Sequence, residues 1–296
     1  MDLIVFIKQL VNGVQVGSIY ALVALGYTMV YGIVKLINFA HGDFIMVGGY
    51  VVVFTTPFLA GLGLPAWLCI FVAVAVCSLI GVLTERIAYK PLRGAPSLSV
   101  LITAIAVSLC LQNMALIFFS SSPRPMSAVF AMEPVTIGSI QFSGISILTI
   151  LMSVALMVAL QLFIKKTRMG KAMRAVSEDS QAAILMGIST NKTISLTFAI
   201  GSGLAAMAAV MYCSAYPQVQ PYMGSMLGLK AFIAAVLGGI GSIPGAMLGG
   251  VLIGLVESLT RHFNSQLADA VVFAILIVVL LVKPAGIMGK NVGEKV

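Results

Sequence analysis

The stretch of sequence that decides the fold is AFIAAVLGGIGSIPGAMLGGVLIGLV, residues 231–256. It contains no charged residue, and it is longer than the about 20 apolar residues with which a helix crosses a bilayer. Its middle, GGIGSIPG at 238–245, combines four glycines with a proline, and such a cluster interrupts a helix. The stretch therefore predicts a membrane protein with a broken span.

The composition of the whole chain supports this interpretation. Of its 296 residues, 60% are hydrophobic and 9% are charged, whereas about 25% of the residues of a typical globular protein are charged. The mean hydropathy is +1.11. Because so few charges cannot cover a soluble protein of this length, we exclude a soluble enzyme, a nucleic-acid-binding module and a disordered chain. We assign the net charge of +8 to cytoplasmic loops, where Lys and Arg set the topology, rather than to a polyanionic partner.

The cysteines indicate neither a disulfide framework nor a metal site. They form no CxxC motif and no Cys/His cluster. Each lies in an apolar stretch, so we expect them to be small buried hydrophobic residues. They are Cys69, Cys77, Cys110 and Cys213.

Charged residues mark the ends of the membrane segments, because a charged side chain at the bilayer centre costs at least ~2.5 kcal/mol. The run 44–84 is twice the length of one span and contains Pro57 and Pro65, so it holds two helices joined by a tight turn. We predict an all-α polytopic protein of about eight membrane segments in a single transmembrane domain, 1–296. The charge-free runs are 9–34, 44–84, 94–123, 134–164, 193–229, 231–256 and 270–282.

Small residues spaced four apart predict where helices approach each other closely. We expect these pairs to pack within the chain rather than to form a dimer interface. They are Gly13/Gly17, Gly224/Gly228, Gly245/Gly249 and Gly250/Gly254.

The segment 227–259 is predicted to consist of two half-helices that meet at 238–245. Irregular backbone at membrane depth is tolerated where it is buried in protein or lines a cavity, and broken helices of this kind are common at transporter binding sites. A glycine-kinked, tightly packed helix without a role in substrate binding is the alternative.

The cations predict the orientation of the chain, because cytoplasmic loops are enriched in Lys and Arg. The loop 165–192 carries the densest basic run and is placed in the cytoplasm, with residues 120–142 outside. The C-terminal tail contains three lysines, which favour a cytoplasmic location. It lies in the cytoplasm if the segment 227–259 is re-entrant, so that both of its ends are on the outer face of the membrane. A single crossing would place the tail outside. The sparse cations near the N-terminus leave its side open.

The cytoplasmic loop contains RMGKAMRAVSEDSQAAILMGI, residues 168–188, in which we predict a short amphipathic helix. Ser177 is its expected N-cap, with Glu178 and Asp179 in the first turn, and Gly187 is its C-terminal stop. The alternative is a helix that lies on lipid headgroups. The acids, the small alanine surface at 182–183 and the glycine stop favour docking into a groove of another protein.

The segment NFAHGDF, residues 38–44, brings His41 and Asp43 close in sequence. They suggest a proton relay or a catalytic pair, but the chain has one other histidine, His262, and no Ser or Cys nucleophile with a base beside it in sequence. Asp43 lies close in sequence to Lys35, so we expect it to form a structural ion pair or to have a helix-end role. Nucleotide binding is not expected either, because the Gly-Lys pairs at 170–171 and 289–290 lack the glycine spacing and the following Ser or Thr of a P-loop.

Several segments, taken in order, resemble the branched-chain amino-acid permeases of ABC importers, of the LivH type. Residues 181–187, QAAILMG, are similar to the Glu-Ala-Ala-x-x-x-Gly loop by which ABC-importer permeases contact their ATPases, with Gln181 in place of the usual Glu. The resemblance covers nearly the whole chain, as far as KPAGIM at 283–288. The other matching segments are GSIYALVALGYTMVYG (17–32), INFAHGD (37–43), RMGKAMR (168–174) and AAVLGGIGSIPGA (234–246).

The resemblance implies an ABC importer permease fold and a role in importing leucine, isoleucine and valine. The chain would form half of the translocation pathway beside a second related permease, with two cytoplasmic ABC ATPases and a periplasmic amino-acid-binding protein, in a bacterial inner membrane. The ATPases would bind ATP, so the chain is expected to be no enzyme and to carry no cofactor. The residues expected to couple to the ATPase are Arg174, Glu178, Asp179, Gln181, Ala182, Ala183 and Gly187. The residues expected on the pathway are Asn38, His41, Gly42, Gly238, Gly239, Gly241 and Ser242.

Two other functions stay open. An intramembrane enzyme would work at His41/Asp43 or at Glu257/Arg261, although the few polar residues disfavour it. A self-contained channel or secondary transporter for small apolar or amide solutes would usually place ionisable residues at mid-membrane, whereas nearly all charges here fall at predicted interfaces. Co-purification separates the functions, because only the importer requires an ATPase partner.

Overall fold

The computed structural model describes residues 3–35, 37–137 and 140–289. The chain folds into eleven α-helices within these ranges, joined by short loops, and the predicted all-α fold class is confirmed. The helices are α1 (Leu3–Val34), α2 (His41–Gly61), α3 (Cys69–Thr84), α4 (Ser97–Phe119), α5 (Gly144–Lys166), α6 (Arg168–Glu178), α7 (Ser180–Leu185), α8 (Thr190–Ala215), α9 (Met223–Gly238), α10 (Ile243–Phe263) and α11 (Leu267–Val282).

Four very short strands lie in the loops and form two antiparallel pairs. The strand β1 (Arg124–Pro125) pairs with β4 (Gln218–Val219), and β2 (Val135–Ile137) pairs with β3 (Ile140–Phe142). The first pair joins the loop after α4 to the loop after α8, and the second is a hairpin before α5. On the orientation predicted from the cations, both pairs lie outside the membrane.

Seven of the described helices are long and apolar enough to cross a membrane, and α9 and α11 are shorter apolar helices. This arrangement agrees with the prediction of about eight segments and with two helices in the run 44–84. The second of these two helices is extended at both ends. A 3-10 turn at Ala66–Leu68 precedes α3, and a π-helical segment at Glu85–Tyr89 follows it.

Helix α1 lies at the centre of the bundle and packs along α10 through backbone contacts between glycines. A Cβ atom built on Gly17 would lie 2.8 Å from the Gly250 carbonyl oxygen, and one built on Gly13 would lie 2.9 Å from the Leu255 Cα. Real Cβ atoms essentially never come within 3.0 Å of other heavy atoms, so these positions require glycine. The small-residue spacings therefore pack within the chain, as predicted.

The predicted break in the segment 227–259 is also confirmed. Helix α9 ends at Gly238 and α10 begins at Ile243, and between them Gly239 and Gly241 have φ angles of +104° and +94°. Only glycine adopts such angles without strain. The two helices then run antiparallel in direct contact, because a Cβ on Gly249 would lie within 3.0 Å of the Ala234 carbonyl carbon.

The depth of the break differs from the expectation. Helix α10 has 21 residues and at 1.5 Å per residue is about 31 Å long, which is a full span rather than a half-helix. The turn lies beside the last turn of α1, since a Cβ on Gly32 would lie 4.0 Å from the Gly241 Cα. The C-terminal segment covers it: Ile287 N–H donates to the Leu237 carbonyl at 2.8 Å, and Met288 N–H donates to the Gly238 carbonyl at 3.0 Å. Segment 238–245 is therefore the closed end of a helical hairpin.

Candidate functional site

The loop 165–192, which the cations predict to be cytoplasmic, folds into a compact helical arm, formed by α6 and α7. The hydroxyl oxygen of Thr167 accepts a hydrogen bond from the Gly170 N–H at 3.0 Å and caps the start of α6. Met173 and Val176 are buried, so one face of α6 packs against the membrane helices. A Cβ on Gly170 would lie 2.5 Å from the Phe163 carbonyl oxygen, and this contact holds α6 close to the end of α5.

The start of the second helix of the arm differs from the prediction. Ser177 is not an N-cap, because α6 continues through Glu178 and the Ser177 hydroxyl donates to the Arg174 carbonyl at 2.7 Å. Asp179 caps α7 instead: its Oδ1 accepts hydrogen bonds from Gln181 N–H at 2.8 Å and from Ala182 N–H at 3.0 Å. Ser and Asp are almost equally good N-caps, so the local sequence alone did not distinguish them. Glu178 therefore belongs to the last turn of α6.

Gly187 ends the helix, as predicted, with a φ of +78°. Its N–H donates to the Ile184 carbonyl at 2.9 Å, and the N–H of Ile188 donates to the Ala183 carbonyl at 3.0 Å. These two bonds form a Schellman motif. Both ends of α7 are thus fixed by hydrogen bonds, which makes this six-residue helix a defined surface feature.

The exposed face of α7 is apolar at its end. Ile184, Leu185 and Met186 are 58%, 88% and 82% exposed, and we call these three residues the apolar tip. Gln181 and Ala182 are exposed beside it. Ala183, by contrast, is 3% exposed and packs inside this chain, so it is not on the surface that a partner would contact.

The arm also carries cations, which precede α7 in the chain. They lie at the end of α5 and along α6, and all are exposed: Lys165, Lys166, Arg168, Lys171 and Arg174. The Arg174 guanidinium also donates to the Lys165 carbonyl, with its Nη2 at 3.4 Å. Glu178 and Asp179 are exposed at the junction of the two helices. The arm therefore presents basic groups on α5 and α6, acidic groups at the α6–α7 junction and an apolar tip at the end of α7.

The first group of predicted pathway residues lies inside the helix packing. His41 is buried, and its ring contacts Tyr27 with centroids 4.7 Å apart. It fits there because Gly26 has no side chain: a Cβ built on Gly26 would overlap the His41 imidazole ring. A Cβ on Gly42 would lie 2.5 Å from the Gly224 carbonyl oxygen, so α2 and α9 touch at this point. The structure therefore does not place His41 and Gly42 on the wall of a cavity within this chain.

Asn38 and Asp43 hold neighbouring helices through buried hydrogen bonds. The Tyr89 hydroxyl donates to Asn38 Oδ1 at 2.7 Å, and Gln112 Nε2 donates to Asp43 Oδ1 at 2.9 Å. Asp43 lies in the first turn of α2, which agrees with the helix-end role predicted for it. Among the described residues, Asn38 Nδ2 and His41 Nε2 have no hydrogen-bond partner.

The second group of pathway candidates builds the turn of the α9–α10 hairpin. Gly238 faces Gly245 across the hairpin, and a Cβ on Gly239 would lie 2.7 Å from the Gly289 Cα. The Ser242 hydroxyl accepts from the Gly245 N–H at 3.2 Å and caps α10. Gly241 is exposed. The close approach of α9, α10 and the C-terminal segment at this turn explains why glycines occur here, and a substrate cavity is not needed to explain them.

A cluster of charged residues lies near the other end of the hairpin; the sequence analysis named two of its members, Glu257 and Arg261, as a candidate enzyme pair but missed Lys230 and Asp269. Lys230 is buried and lies between Glu257 and Asp269, with its Nζ at 2.8 Å and 2.7 Å from their carboxylate oxygens. Arg261 also pairs with Glu257. The available signal was the lone charge at position 230 between two long apolar runs, since such a residue needs a buried partner.

The described residues contain no group of three or more His, Cys, Asp or Glu side chains that could hold a metal ion. The cysteines are free thiols: Cys69, Cys77 and Cys213 are buried, as expected, whereas Cys110 is exposed on α4.

Comparisons with known proteins agree on one family. The sequence profile described as "Branched-chain amino acid transport system / permease component" matches residues 9–280. The high-affinity branched-chain amino acid transport system permease protein BraD of Pseudomonas aeruginosa is 44% identical over 301 residues, which cover 98% of each chain. The permease protein LivH of the corresponding system of Escherichia coli K12 is 44% identical over 302 residues, with 98% of each chain covered.

Among solved structures, PsaBC from Streptococcus pneumoniae in complex with Fab is similar to this chain with a TM-score of 0.49 and 14% sequence identity. The match covers 95% of this chain and 92% of that one.

Proposed function

This chain belongs to the branched-chain amino acid transport permease family, and from this premise we propose that it is the membrane-spanning subunit of an ATP-driven importer of leucine, isoleucine and valine. It is a multi-pass membrane protein, and we place it in the inner membrane of a bacterium. In this proposal it forms half of the translocation pathway, and a second related permease forms the other half. A periplasmic binding protein delivers the amino acid, and two cytoplasmic ABC ATPases bind and hydrolyse ATP.

The observation that carries the proposal is the apolar tip of α7. Burying a Leu, Ile or Met side chain is worth about 1.5–3 kcal/mol, so three neighbouring exposed side chains on a rigid helix represent a large unused stabilisation. The Asp179 cap and the Gly187 stop hold these side chains in one arrangement, which lowers the entropic cost of docking. We propose that the tip inserts into a groove of the ATPase and transmits its movement to α8.

The arm supports this assignment at its other residues too. Glu178 and Asp179 are exposed and can pair with cations of a partner, which favours correct docking. Arg174 and the neighbouring cations offer the opposite charge on α6. Ala182 is small and exposed beside the tip, so it permits close approach. Ala183 and Gly187 contribute indirectly, because they shape α7 from within this chain.

The pathway candidates act through helix packing in this proposal. Asn38, His41 and Gly42 are packed between helices, so we propose that they act by holding α2 against α1 and α9 rather than by touching substrate. Gly238, Gly239, Gly241 and Ser242 form the hairpin turn, and we propose that this turn moves with the C-terminal segment during transport. A pathway lined mainly by small and apolar side chains suits apolar amino acids.

A second candidate function is favoured by one observation. The buried pair Lys230 and Glu257, together with the half-exposed Asp269, places ionisable groups inside membrane helices, where such groups often couple transport to an ion gradient. A self-contained secondary transporter for small apolar or amide solutes would use them in this way. In that case leucine uptake would depend on the membrane potential or a pH gradient and would need no ATPase.

Reconstitution separates the two functions. Proteoliposomes that contain this chain, its companion permease, the ATPases and the binding protein should accumulate labelled leucine when ATP is enclosed. Vesicles without the ATPases should not accumulate it under an imposed ion gradient. Accumulation by the permease chains alone would contradict the importer proposal.

A further inference from the structure

A cavity of about 210 Å³ opens at the end of the bundle opposite to the helical arm. Its walls come from the early part of α1, the last turns of α10 and the residue that follows α8. The lining residues used below are Gln9, Asn12, Val16, Tyr216, Glu257 and Arg261. On the orientation predicted from the cations, the cavity faces the outside of the cell.

The base of the cavity is held by the ion network around Glu257. The Tyr20 hydroxyl donates to Glu257 Oε2 at 2.7 Å, and Lys230 donates to Glu257 Oε1 at 2.8 Å. Lys230 also contacts Asp269 at 2.7 Å. The two acids and the two bases, Arg261 included, balance each other in charge. Within this neutral network Glu257 and Lys230 are buried and paired with each other, which is the condition under which buried ions are tolerated, whereas Arg261 and Asp269 are about half exposed.

Arg261 is the member of this network whose charged side chain is exposed at the cavity. Its side chain is 49% exposed, and its one recorded acceptor among the described residues is Glu257, four positions earlier on α10. A guanidinium has five N–H donors in a fixed fork, and this fork matches a carboxylate. Glu257 therefore fixes one edge of the fork and leaves the remaining donors for a ligand.

The opposite wall supplies neutral acceptors and apolar surface. Ser258 donates to the Gln9 carbonyl at 2.8 Å and to Gln9 Oε1 at 3.0 Å, which fixes the Gln9 side chain on the wall. Asn12 is exposed at the rim and offers an amide oxygen. Val16 and the Tyr216 ring provide the apolar contacts. The volume corresponds to about seven water molecules at about 30 Å³ each, which suits a small free amino acid.

We propose that this cavity binds a free zwitterionic amino acid on the outer side of the membrane before it enters the pathway. Arg261 binds its α-carboxylate, and the amide oxygens of Gln9 and Asn12, backed by the Glu257 carboxylate, accept from its α-ammonium group. The side chain lies against Val16 and Tyr216. A neutral zwitterion leaves the charge balance of the site unchanged, whereas a ligand with one charge does not. This proposal rests on the proposed import of amino acids and assigns a recognition site to it.

The test measures binding of labelled leucine to the assembled transporter in nanodiscs, without the binding protein. The competitors are leucinamide, which lacks the carboxylate, and the 2-oxo acid of leucine, which lacks the ammonium group. Arg261→Gln removes the carboxylate contact while Lys230 and Tyr20 still hold Glu257. Asn12→Phe fills the rim from an exposed position and leaves the ion network intact. Arg124→Gln is the matched control, since Arg124 lies on the same side but outside the cavity, over the Phe54 ring.

We expect the two cavity variants to weaken leucine binding by at least about tenfold and the control variant to change it less than twofold. Leucinamide and the 2-oxo acid should each compete at least about tenfold less well than leucine. Unchanged binding in both Arg261→Gln and Asn12→Phe, or equal competition by the three compounds, would overturn the proposed site. Uptake assayed in parallel with the binding protein tests the function separately: uptake without measurable binding rejects the site alone, and absence of uptake rejects the importer.

Discussion

Leu185→Ala is the substitution that tests the docking role of the apolar tip most cleanly. Leu185 is 88% exposed in this chain, so its truncation should change the stability of the permease itself by no more than about 0.5 kcal/mol. In a docked complex the same side chain would be buried, and its loss would cost about 1.5–3 kcal/mol of binding free energy. Since about 1.4 kcal/mol corresponds to a tenfold change in affinity, we expect ATPase binding to weaken about 10- to 100-fold.

The assay titrates purified ATPase onto the permease in nanodiscs and measures leucine uptake in parallel. Leu281→Ala is the matched control, because Leu281 is 80% exposed on α11, outside the helical arm. Both variants should insert and melt like the wild type. A Leu185→Ala permease that binds the ATPase with wild-type affinity would refute the docking role of the tip. A tip that lies on lipid headgroups predicts that result, together with weaker binding of the arm to anionic vesicles.

Four further predictions concern other parts of the chain. Gly187→Val should lower the stability of the arm by about 1–2 kcal/mol, because Gly187 has a left-handed φ of +78°, and should weaken ATPase binding. Gly187→Asn should recover most of that binding. Equal ATPase binding by the wild type and both variants would contradict the role of Gly187 in ending α7. Gly239→Leu should lower the melting temperature much more than Gly241→Ala, because a Cβ at position 239 meets Gly289 whereas one at position 241 meets open space. Equal melting temperatures would contradict the covering of the hairpin turn by the C-terminal segment. Lys230→Met should lower the free energy of unfolding by about 3–5 kcal/mol, since it leaves the buried Glu257 with fewer partners. Thermal unfolding should show that adding Glu257→Gln restores part of this stability. Additive losses in the double variant would argue against an ion network between Lys230 and Glu257. In a protein without native cysteines, a cysteine at 288 should be labelled only from the cytoplasm and one at 122 only from outside, and the reverse pattern would reject the orientation.

The sequence predicted those parts of the fold that depend on local pattern. Glycines at helical spacing predicted close helix packing at Gly13/Gly17 and at Gly250/Gly254, but only the structure shows that Gly17 and Gly250 contact each other. The four glycines and the proline at 238–245 predicted the break, because such a cluster interrupts a helix. The depth of that break depends on Ile287 and Met288 bonding to the end of α9, a contact that no local pattern contains.

The local structure of the arm was predicted in part: a short helix that ends at Gly187 is present, but its cap and its buried residue differ from the prediction. The end of α7 was predicted from Gly187, because glycine is the usual residue after a helix. Its start was ambiguous, because Ser177 and Asp179 are both good N-cap residues. The burial of Ala183 depends on which face of α7 turns toward α8, and that is decided by tertiary packing. The ion network joins Tyr20 to Glu257 across 237 positions of the chain, so it was visible only once the helices were assembled.

Uptake of labelled leucine tests the central claim most directly. The measurement compares a bacterial strain that lacks this chain with the same strain carrying it, with the companion permease, ATPases and binding protein present in both. The proposed function predicts high-affinity, ATP-dependent uptake only in the strain that carries the chain, and its loss when the apolar tip is changed from Ile184-Leu185-Met186 to three serines. Equal uptake by the two strains, or uptake that survives depletion of ATP, would contradict it.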